Sequence, residues 1–326
     1  MSTQGVEFES LNVSVPTSSG QAPRQLLHNI TLRIEPNTTT ALLGRSGSGK
    51  TTLLRTINAL VHPTSGRVLV GGQDVATTDP IALRRSIGYV IQDTGLFPRM
   101  TIARNIGMAL ELAGLPEPEI RRRAAIMLHH VGLPKDLLPR YPWQLSGGQR
   151  QRVGLARAIA NEPSILLMDE PFGALDPLTR SEMQTMLRDL LVQAESTTII
   201  ITHDLEEALY LADRVIFIDK GRVVADLPFN EVRTSENPDV QAYISATHRI
   251  PVTPLTLGTT TSSHTAHSNS PSPTTAPVPI SVIDPDLPDL QHPDPQLPEP
   301  HHPDAQLPDP ERPDASDQPK QNWWEI

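Results

Sequence analysis

The eight residues from Gly44 to Thr51 are the densest concentration of chemical groups in the chain, and they read Gly-Arg-Ser-Gly-Ser-Gly-Lys-Thr. Their glycines let backbone N–H groups close around an anion without a Cβ in the way. Lys50 has the length to reach outer phosphate oxygens, and Thr51 offers a hydroxyl to Mg²⁺. A glycine- and serine-rich loop without a ligand is the alternative, and the complete pattern disfavours it.

A second group of chemical residues is the carboxylate pair Asp169 and Glu170, which follows the apolar run Ile165–Met168 and precedes Pro171. In a parallel sheet, the carboxyl ends of the strands form the ligand crevice. We therefore expect Asp169 to hold Mg²⁺, and Glu170 to orient or deprotonate an attacking water. The alternative is a pair of solvated acids at the end of a strand.

The third motif, Leu145-Ser-Gly-Gly-Gln149, stands before a strong helical pattern. Ser146 is a favoured residue for a helix N-cap, and the two glycines expose N–H groups at the positive end of the helix. The motif predicts a second anion site, separate from the first. On its own it would describe only a well-capped helix.

The elements that must position these motifs follow from the pattern of apolar residues. Alternation over Val6–Val15, Ile30–Ile34 and Val68–Val70 predicts a small antiparallel sheet at the front of the domain. Apolar runs separated by helical patterns predict a parallel sheet with crossover connections. These strands are expected at Thr40–Leu43, Ile87–Gln92, Ile165–Asp169 and Thr198–Thr202. Helices are expected at Ile102–Leu115, Glu117–Val131, Gln149–Asn161 and Ser181–Glu195, and a terminal hairpin at 215–224.

Taken together, the motifs resemble the ATP-binding cassette of ABC transporters over about residues 5–245. The resemblance implies an α/β fold of the P-loop NTPase type. It has a mostly parallel RecA-like sheet core, an N-terminal antiparallel β subdomain and a helical insertion at about 95–160. It also implies an ATPase that uses ATP and Mg²⁺, with two cassettes packed head to tail. ATP would then lie between the phosphate loop of one copy and the Leu145–Gln149 segment of the other.

The resemblance also implies a role for each matching residue. Glu170 and His203 are expected to be catalytic, and Asp176 to contact the second cassette. The Mg²⁺ ligands are expected to be Thr51, Gln92 and Asp169. The residues expected to bind ATP are Gly44, Arg45, Ser46, Gly47, Ser48, Gly49, Lys50, Thr51, Thr52 and Gln92. The residues expected to bind the ATP of the partner copy are Ser146, Gly147, Gly148 and Gln149.

Composition separates a folded part, residues 1–250, from a different segment at 251–326. The second segment holds 17 of the 33 prolines and 11 acidic residues against two basic ones, so we expect a disordered, acidic tail. The remainder is almost neutral, which favours no nucleic-acid partner. The absence of cysteine excludes disulfides and cysteine zinc sites. No leader-like or membrane-spanning apolar run is present, so we expect a soluble protein.

Within the family, the chain looks like the osmoprotectant importers, which move quaternary amines such as glycine betaine, carnitine and choline, and also proline. That branch implies a membrane permease as partner, a second cassette as homodimer partner, and indirectly an extracytoplasmic solute-binding protein. The location implied is peripheral, on the cytoplasmic side of the plasma membrane. The segments that carry this likeness are Ile87–Gln92, Gly95–Pro98, Met100–Ile102, Tyr141-Pro142 and Glu170–Arg180.

Other functions stay open at this stage. Part of the last segment is shared with importers of sulfate, sulfonates, nitrate and polyamines, and an amino-acid importer is a related possibility. An exporter, a cassette ATPase acting on DNA or ribosomes, and a non-catalytic nucleotide-binding module are more distant alternatives. One cassette without a heptad run, and intact Lys50, Glu170 and His203, argue against the last two.

Overall fold

The computed structural model describes residues 4–17, 22–92, 94–173, 175–194 and 196–247. The tail predicted for 251–326 lies outside these residues. The described strands are β1 (Val6–Val15), β2 (Arg24–Ile34), β3 (Thr39–Leu43), β4 (Ser65–Val70), β5 (Gln73–Asp74), β6 (Ile87–Val90), β7 (Ile165–Asp169), β8 (Thr197–Thr202), β9 (Arg214–Asp219) and β10 (Arg222–Pro228). The described α-helices are α1 (Lys50–Ile57), α2 (Pro80–Ser86), α3 (Ile102–Leu112), α4 (Glu117–His130), α5 (Gly147–Ile159), α6 (Pro177–Gln193), α7 (Leu205–Leu211) and α8 (Pro238–Thr247).

The larger sheet has six strands in the order β10-β9-β3-β8-β7-β6. All its pairs are parallel except the β9–β10 hairpin at one edge. Every residue of β3, β7 and β8 is buried, as expected for strands covered on both faces. The phosphate loop follows β3 and the carboxylate pair ends β7, and only β8 separates these strands. The topology therefore brings both motifs to one edge of the sheet.

The smaller sheet is antiparallel, with the order β2-β1-β4-β5. Its strand β1 alternates buried and more exposed residues, so one face packs on the core and the other faces solvent. Side chains of β1 and β2 share a hydrophobic cluster with helix α1 and the larger sheet. Phe8, which is 1% exposed, is among the largest side chains in that cluster. This confirms the antiparallel sheet expected at the front of the domain.

Between β6 and β7 the chain is helical. Helices α3, α4 and α5 share a second cluster, which includes Ile106, Leu128 and Val153, each fully buried. Helix α3 ends three residues earlier than predicted, because Gly114 takes a left-handed φ of 81° and the Leu115 N–H bonds back to the Leu110 carbonyl. Helix α6 begins four residues earlier than predicted, since Asp176 caps it and Pro177 opens it.

The fold is therefore the predicted α/β class, a mostly parallel core with an antiparallel sheet and a helical segment. Short helices α2 and α7 and the last helix α8 were not predicted. Strand β6 ends at Val90 rather than at Gln92, so Gln92 lies in the turn that follows the strand. Among the described residues, no helix is long and apolar enough to cross a membrane.

Candidate functional site

The phosphate loop runs from the end of β3 to the start of α1, and its backbone leaves no room for larger residues. A Cβ at Gly44 would stand 2.1 Å from the Ile218 carbonyl oxygen. Gly49, the N-cap of α1, has a φ of 106°, which a side chain tolerates poorly. The loop is also tied to its neighbours, because the Gly221 N–H donates to the Ser48 carbonyl at 2.9 Å. These constraints explain why the sequence needs glycine at both positions.

Lys50 is held inside the loop. Its ammonium donates to the carbonyl oxygens of Gly44 and Arg45 at 2.8 and 2.9 Å, and the residue is 5% exposed. Burial lowers the pKa of Lys50, and the carboxylates of Glu170 and Asp169 oppose that shift. A buried ammonium with spare donor capacity is suited to an anionic ligand, because such a ligand supplies the compensating charge.

Thr51 and Asp169 join the two halves of the site. The Thr51 hydroxyl donates to Asp169 Oδ1 at 3.1 Å, across 118 residues of sequence. Burial raises the pKa of Asp169, and the Thr51 hydrogen bond works in the opposite direction. Oxygen donors that converge beside a buried carboxylate fit Mg²⁺, which takes one or two protein oxygens and fills its remaining positions with phosphate and water. No cluster of three His, Asp or Glu side chains able to hold a metal occurs in the part of the chain that the structure describes.

Glu170 stands next to this pair, with two polar side chains around its carboxylate. Gln92 donates through Nε2 to Glu170 Oε2 at 3.2 Å, and His203 Nδ1 lies 3.6 Å from the same oxygen. The backbone of Glu170 is in the left-handed region, with a φ of 47°, which is uncommon away from glycine. Its N–H donates to Ile201 on β8 at 3.0 Å, which helps to hold this conformation.

The Ser146–Gln149 segment forms the N-terminus of α5 as predicted. The Ser146 hydroxyl accepts from the Gln149 N–H at 3.2 Å, and the Gln149 side chain accepts from the Ser146 N–H at 3.0 Å. This reciprocal capping box leaves the N–H groups of Gly147 and Gly148 at the start of the helix. Asp176 caps α6 by accepting from the Thr179 N–H at 3.1 Å, and this bonding lowers its pKa.

The structure thus joins some of the predicted site residues and not others. Lys50, Thr51, Asp169 and Glu170 lie together, with Gln92 and His203 beside them. The side-chain hydrogen bonds given above for Ser146, Gln149 and Asp176 stay within their own helix ends. Arg45, Ser46 and Thr52 fall on the loop or on the first turn of α1, as their sequence positions require.

Two polar residues that position the site, one buried and one half-buried, were missed by sequence reasoning. Asn105, which is fully buried, accepts from the Phe97 N–H and donates to the carbonyls of Phe97, Met100 and Thr101. Arg157 donates to the carbonyls of Thr94 and Gly95 at 2.8 and 2.6 Å. Both therefore hold the segment that follows Gln92. Asn105 could have been recognised in the sequence as a polar residue on the apolar face of α3, between Ile102 and Ile106.

The comparisons with known proteins agree with this geometry. The sequence model of the family described as "ABC transporter" matches residues 27–173. A dimeric ATP-binding cassette, solved in a post-hydrolysis state with ADP and Pi bound, superposes with a TM-score of 0.64 at 32% identity. The match covers 98% of that chain and 69% of this one. The chain belongs to the ABC transporter family.

Curated relatives are named as ATP-binding proteins of transport systems. The carnitine transport ATP-binding protein OpuCA of Listeria monocytogenes is 41% identical over 239 residues, which is 73% of this chain and 60% of the relative. The sulfate/thiosulfate import ATP-binding protein CysA of Mesorhizobium japonicum is 46% identical over 231 residues, 69% of this chain and 66% of the relative. The chain therefore matches about three fifths of the length of the first of these relatives.

Proposed function

We propose that this cassette is the ATP-hydrolysing subunit of an importer that takes up a quaternary amine osmoprotectant. The observation that carries the ATPase part is the pair of contacts from Thr51 to Asp169 and from Gln92 to Glu170, which assemble a phosphate loop and two carboxylates at one sheet edge. ATP is the substrate, and its hydrolysis to ADP and phosphate is the reaction.

The phosphate loop supplies the binding energy for the triphosphate. The loop N–H groups of residues 44–52 and the N-terminus of α1 face the phosphates, and the Lys50 ammonium exchanges its bonds to loop carbonyls for phosphate oxygens. Thr51, Asp169 and Gln92 would hold Mg²⁺, which neutralises phosphate charge when bound. The pattern Gly-x-x-Gly-x-Gly-Lys-Thr thereby acts through backbone groups that only glycine leaves accessible.

Hydrolysis needs a water molecule in line with the terminal phosphate and a group that accepts its proton. Glu170 is the group we assign to that task, because its carboxylate ends β7 beside Asp169 and is oriented by Gln92. His203 is the residue we assign to hold the terminal phosphate and the water, since its Nδ1 lies 3.6 Å from Glu170 Oε2. Both side chains belong to the same sheet edge as the phosphate loop.

Two copies are needed to complete each site. We assign the N–H groups of Gly147 and Gly148, at the capped start of α5, to the ATP bound by a second copy, and a solved relative of 32% identity is a dimeric cassette. A dimer packed head to tail places Ser146–Gln149 of one copy on the ATP of the other, with Asp176 beside the junction. ATP then favours the closed dimer by contacts that ADP lacks, and hydrolysis reverses the preference.

The imported solute is assigned by likeness alone, because a cassette does not touch the solute. The carnitine relative and the segments shared with osmoprotectant importers favour a quaternary amine such as glycine betaine, carnitine or choline, with proline as a further member. The sulfate relative, at 46% identity, makes an anion importer the second candidate. The partners are a membrane permease, which holds the cassette at the cytoplasmic face of the plasma membrane, and, through it, a solute-binding protein.

Two experiments test these assignments separately. ATP turnover of the Glu170→Gln protein is expected to fall by about 100-fold or more while ATP binding is kept. Parental turnover would show that Glu170 is not the general base. For the solute, cells lacking this chain are compared with parental cells for uptake of radiolabelled glycine betaine and of sulfate under salt stress. Loss of betaine uptake alone supports the osmoprotectant assignment, and loss of sulfate uptake alone supports the second candidate.

A further inference from the structure

The last described helix, α8, reaches the catalytic edge of the sheet through one side chain. The Tyr243 hydroxyl donates to the backbone carbonyl of His203 at 2.7 Å, across 40 residues of sequence. His203 is the residue whose imidazole faces Glu170. The tyrosine is thus bonded to the backbone of a residue assigned to the reaction.

Tyr243 is itself firmly held. Its ring packs edge-on against Phe217, with ring centroids 5.8 Å apart and an interplanar angle of 76°. Phe217 is 2% exposed and pairs in register with Leu43, the residue before the phosphate loop. On the same helix, Val240 is fully buried. The ring that carries the hydroxyl therefore packs against strand β9, which is paired with β3, the strand that leads into the phosphate loop.

His203 depends on its backbone for orientation, because its side chain is 63% exposed and has little packing around it. On one side, the Thr202 hydroxyl accepts from the Asp204 N–H at 3.0 Å. On the other, the His203 carbonyl accepts from Tyr243. The His203 carbonyl and the Asp204 N–H belong to one planar peptide unit, so these two bonds hold the Cα from which the imidazole extends and narrow the range of directions open to it.

We propose that Tyr243 is a positioning residue that holds the imidazole of His203 in place for the reaction centred on Glu170. The proposal rests on the ATPase function proposed above. Burial raises the pKa of Tyr243 to about 12, so its hydroxyl keeps its proton and remains a donor throughout the neutral range. Helix α8 thereby helps to orient a residue assigned to the reaction.

The test is the Tyr243→Phe substitution, which removes the hydroxyl and keeps the ring against Phe217. Steady-state ATP hydrolysis is expected to fall about tenfold in kcat, while the KM for ATP changes by less, because Lys50 and Thr51, which hold most of the triphosphate, are untouched. Tyr210→Phe is the matched control. It also removes a tyrosine hydroxyl that is hydrogen-bonded, to Thr185 at 3.3 Å and to Arg188, at a residue outside the site, and it should leave kcat unchanged.

A double-mutant cycle separates positioning from general stabilisation. In a His203→Ala protein, adding Tyr243→Phe should leave the residual turnover unchanged, because the group that Tyr243 positions is already gone. An unchanged kcat in Tyr243→Phe alone, or an equal loss in both backgrounds, overturns the proposal. A His203→Ala protein that turns over at the parental rate would instead overturn the proposed role of His203, so the two failures are distinguishable.

Discussion

Glu207 is a buried carboxylate whose ionisation should destabilise the fold. The residue is on α7, is 6% exposed, and accepts from the Gln184 amide at 3.2 Å. Burial raises its pKa from 4.5 to about 7, and the nearby Asp204 adds to the shift while Thr202, Gln184 and Arg180 oppose it. Glu207→Gln keeps the shape and removes the charge.

The magnitude follows from linkage between protonation and folding. The unfolded state loses its proton near pH 4.5 and the folded state near pH 7, so the folded form binds more protons between these values. Stability therefore falls as pH rises through that window, and the whole penalty is present above it. A difference of about 2.5 units corresponds to about 3 kcal/mol. Glu207→Gln should thus raise the free energy of unfolding by about 3 kcal/mol at pH 8 and by about 1 kcal/mol at pH 5.

Urea unfolding of the nucleotide-free protein at pH 5 and pH 8 measures both values. Glu206→Gln is the control, because Glu206 is the neighbouring acid and forms an exposed ion pair with Arg233 at 2.6 Å. That change should cost less than about 1 kcal/mol. A Glu207→Gln protein that is less stable than the parent at pH 8, or a gain that is the same at both pH values, would refute the reasoning.

Three further predictions concern residues that shape the site. Asn105→Leu removes the side-chain hydrogen bonds to one N–H and three carbonyls of residues 97–101, although the Phe97 and Thr101 carbonyls keep a backbone donor, and should lower the free energy of unfolding by about 3 kcal/mol in urea titrations; the half-buried Asn161→Ala, which loses one bond, should cost under about 1 kcal/mol. Gly44→Ala drives a Cβ into the Ile218 carbonyl, and should cost more stability than Gly47→Ala, whose Cβ meets no atom within 4 Å; equal losses would contradict the steric argument. Thr51→Val removes the donor to Asp169, and should abolish the Mg²⁺ dependence of ATP binding measured by calorimetry, whereas a parental Mg²⁺ response would show that Thr51 is not a ligand.

Much of the fold was predictable because it depends on local patterns. Strand β7 has the predicted bounds, Ile165–Asp169, and β3 and β8 differ from prediction by one residue, since continuous apolar runs mark buried parallel strands. Helix α7 is only seven residues long and is stabilised mainly by its Asp204 cap and its packing. Such a helix carries too few turns for apolar periodicity to stand out.

The candidate site was predictable only where its motifs are contiguous in sequence. The phosphate loop, the carboxylate pair and the Ser146 cap each carry their chemistry within a few residues. The contacts that join them do not, because the strand order that brings Thr51 to Asp169 is a property of the whole sheet. Tyr243 gave no signal at all, since a tyrosine on a C-terminal helix is indistinguishable in sequence from one that packs on the surface.

The central claim is that each ATP is bound between Lys50 of one copy and Ser146 of the other. The most direct test is a co-capture experiment with two variants that both carry Glu170→Gln. A tagged Lys50→Ala protein is mixed with an untagged Ser146→Arg protein, and the amount of untagged protein captured with the tagged one is measured with and without ATP. Neither variant should pair with itself, because each has lost one half of both sites, but the mixed pair keeps one complete site and should be captured only with ATP. Self-pairing of either variant, or no capture of the mixed pair, would contradict the account.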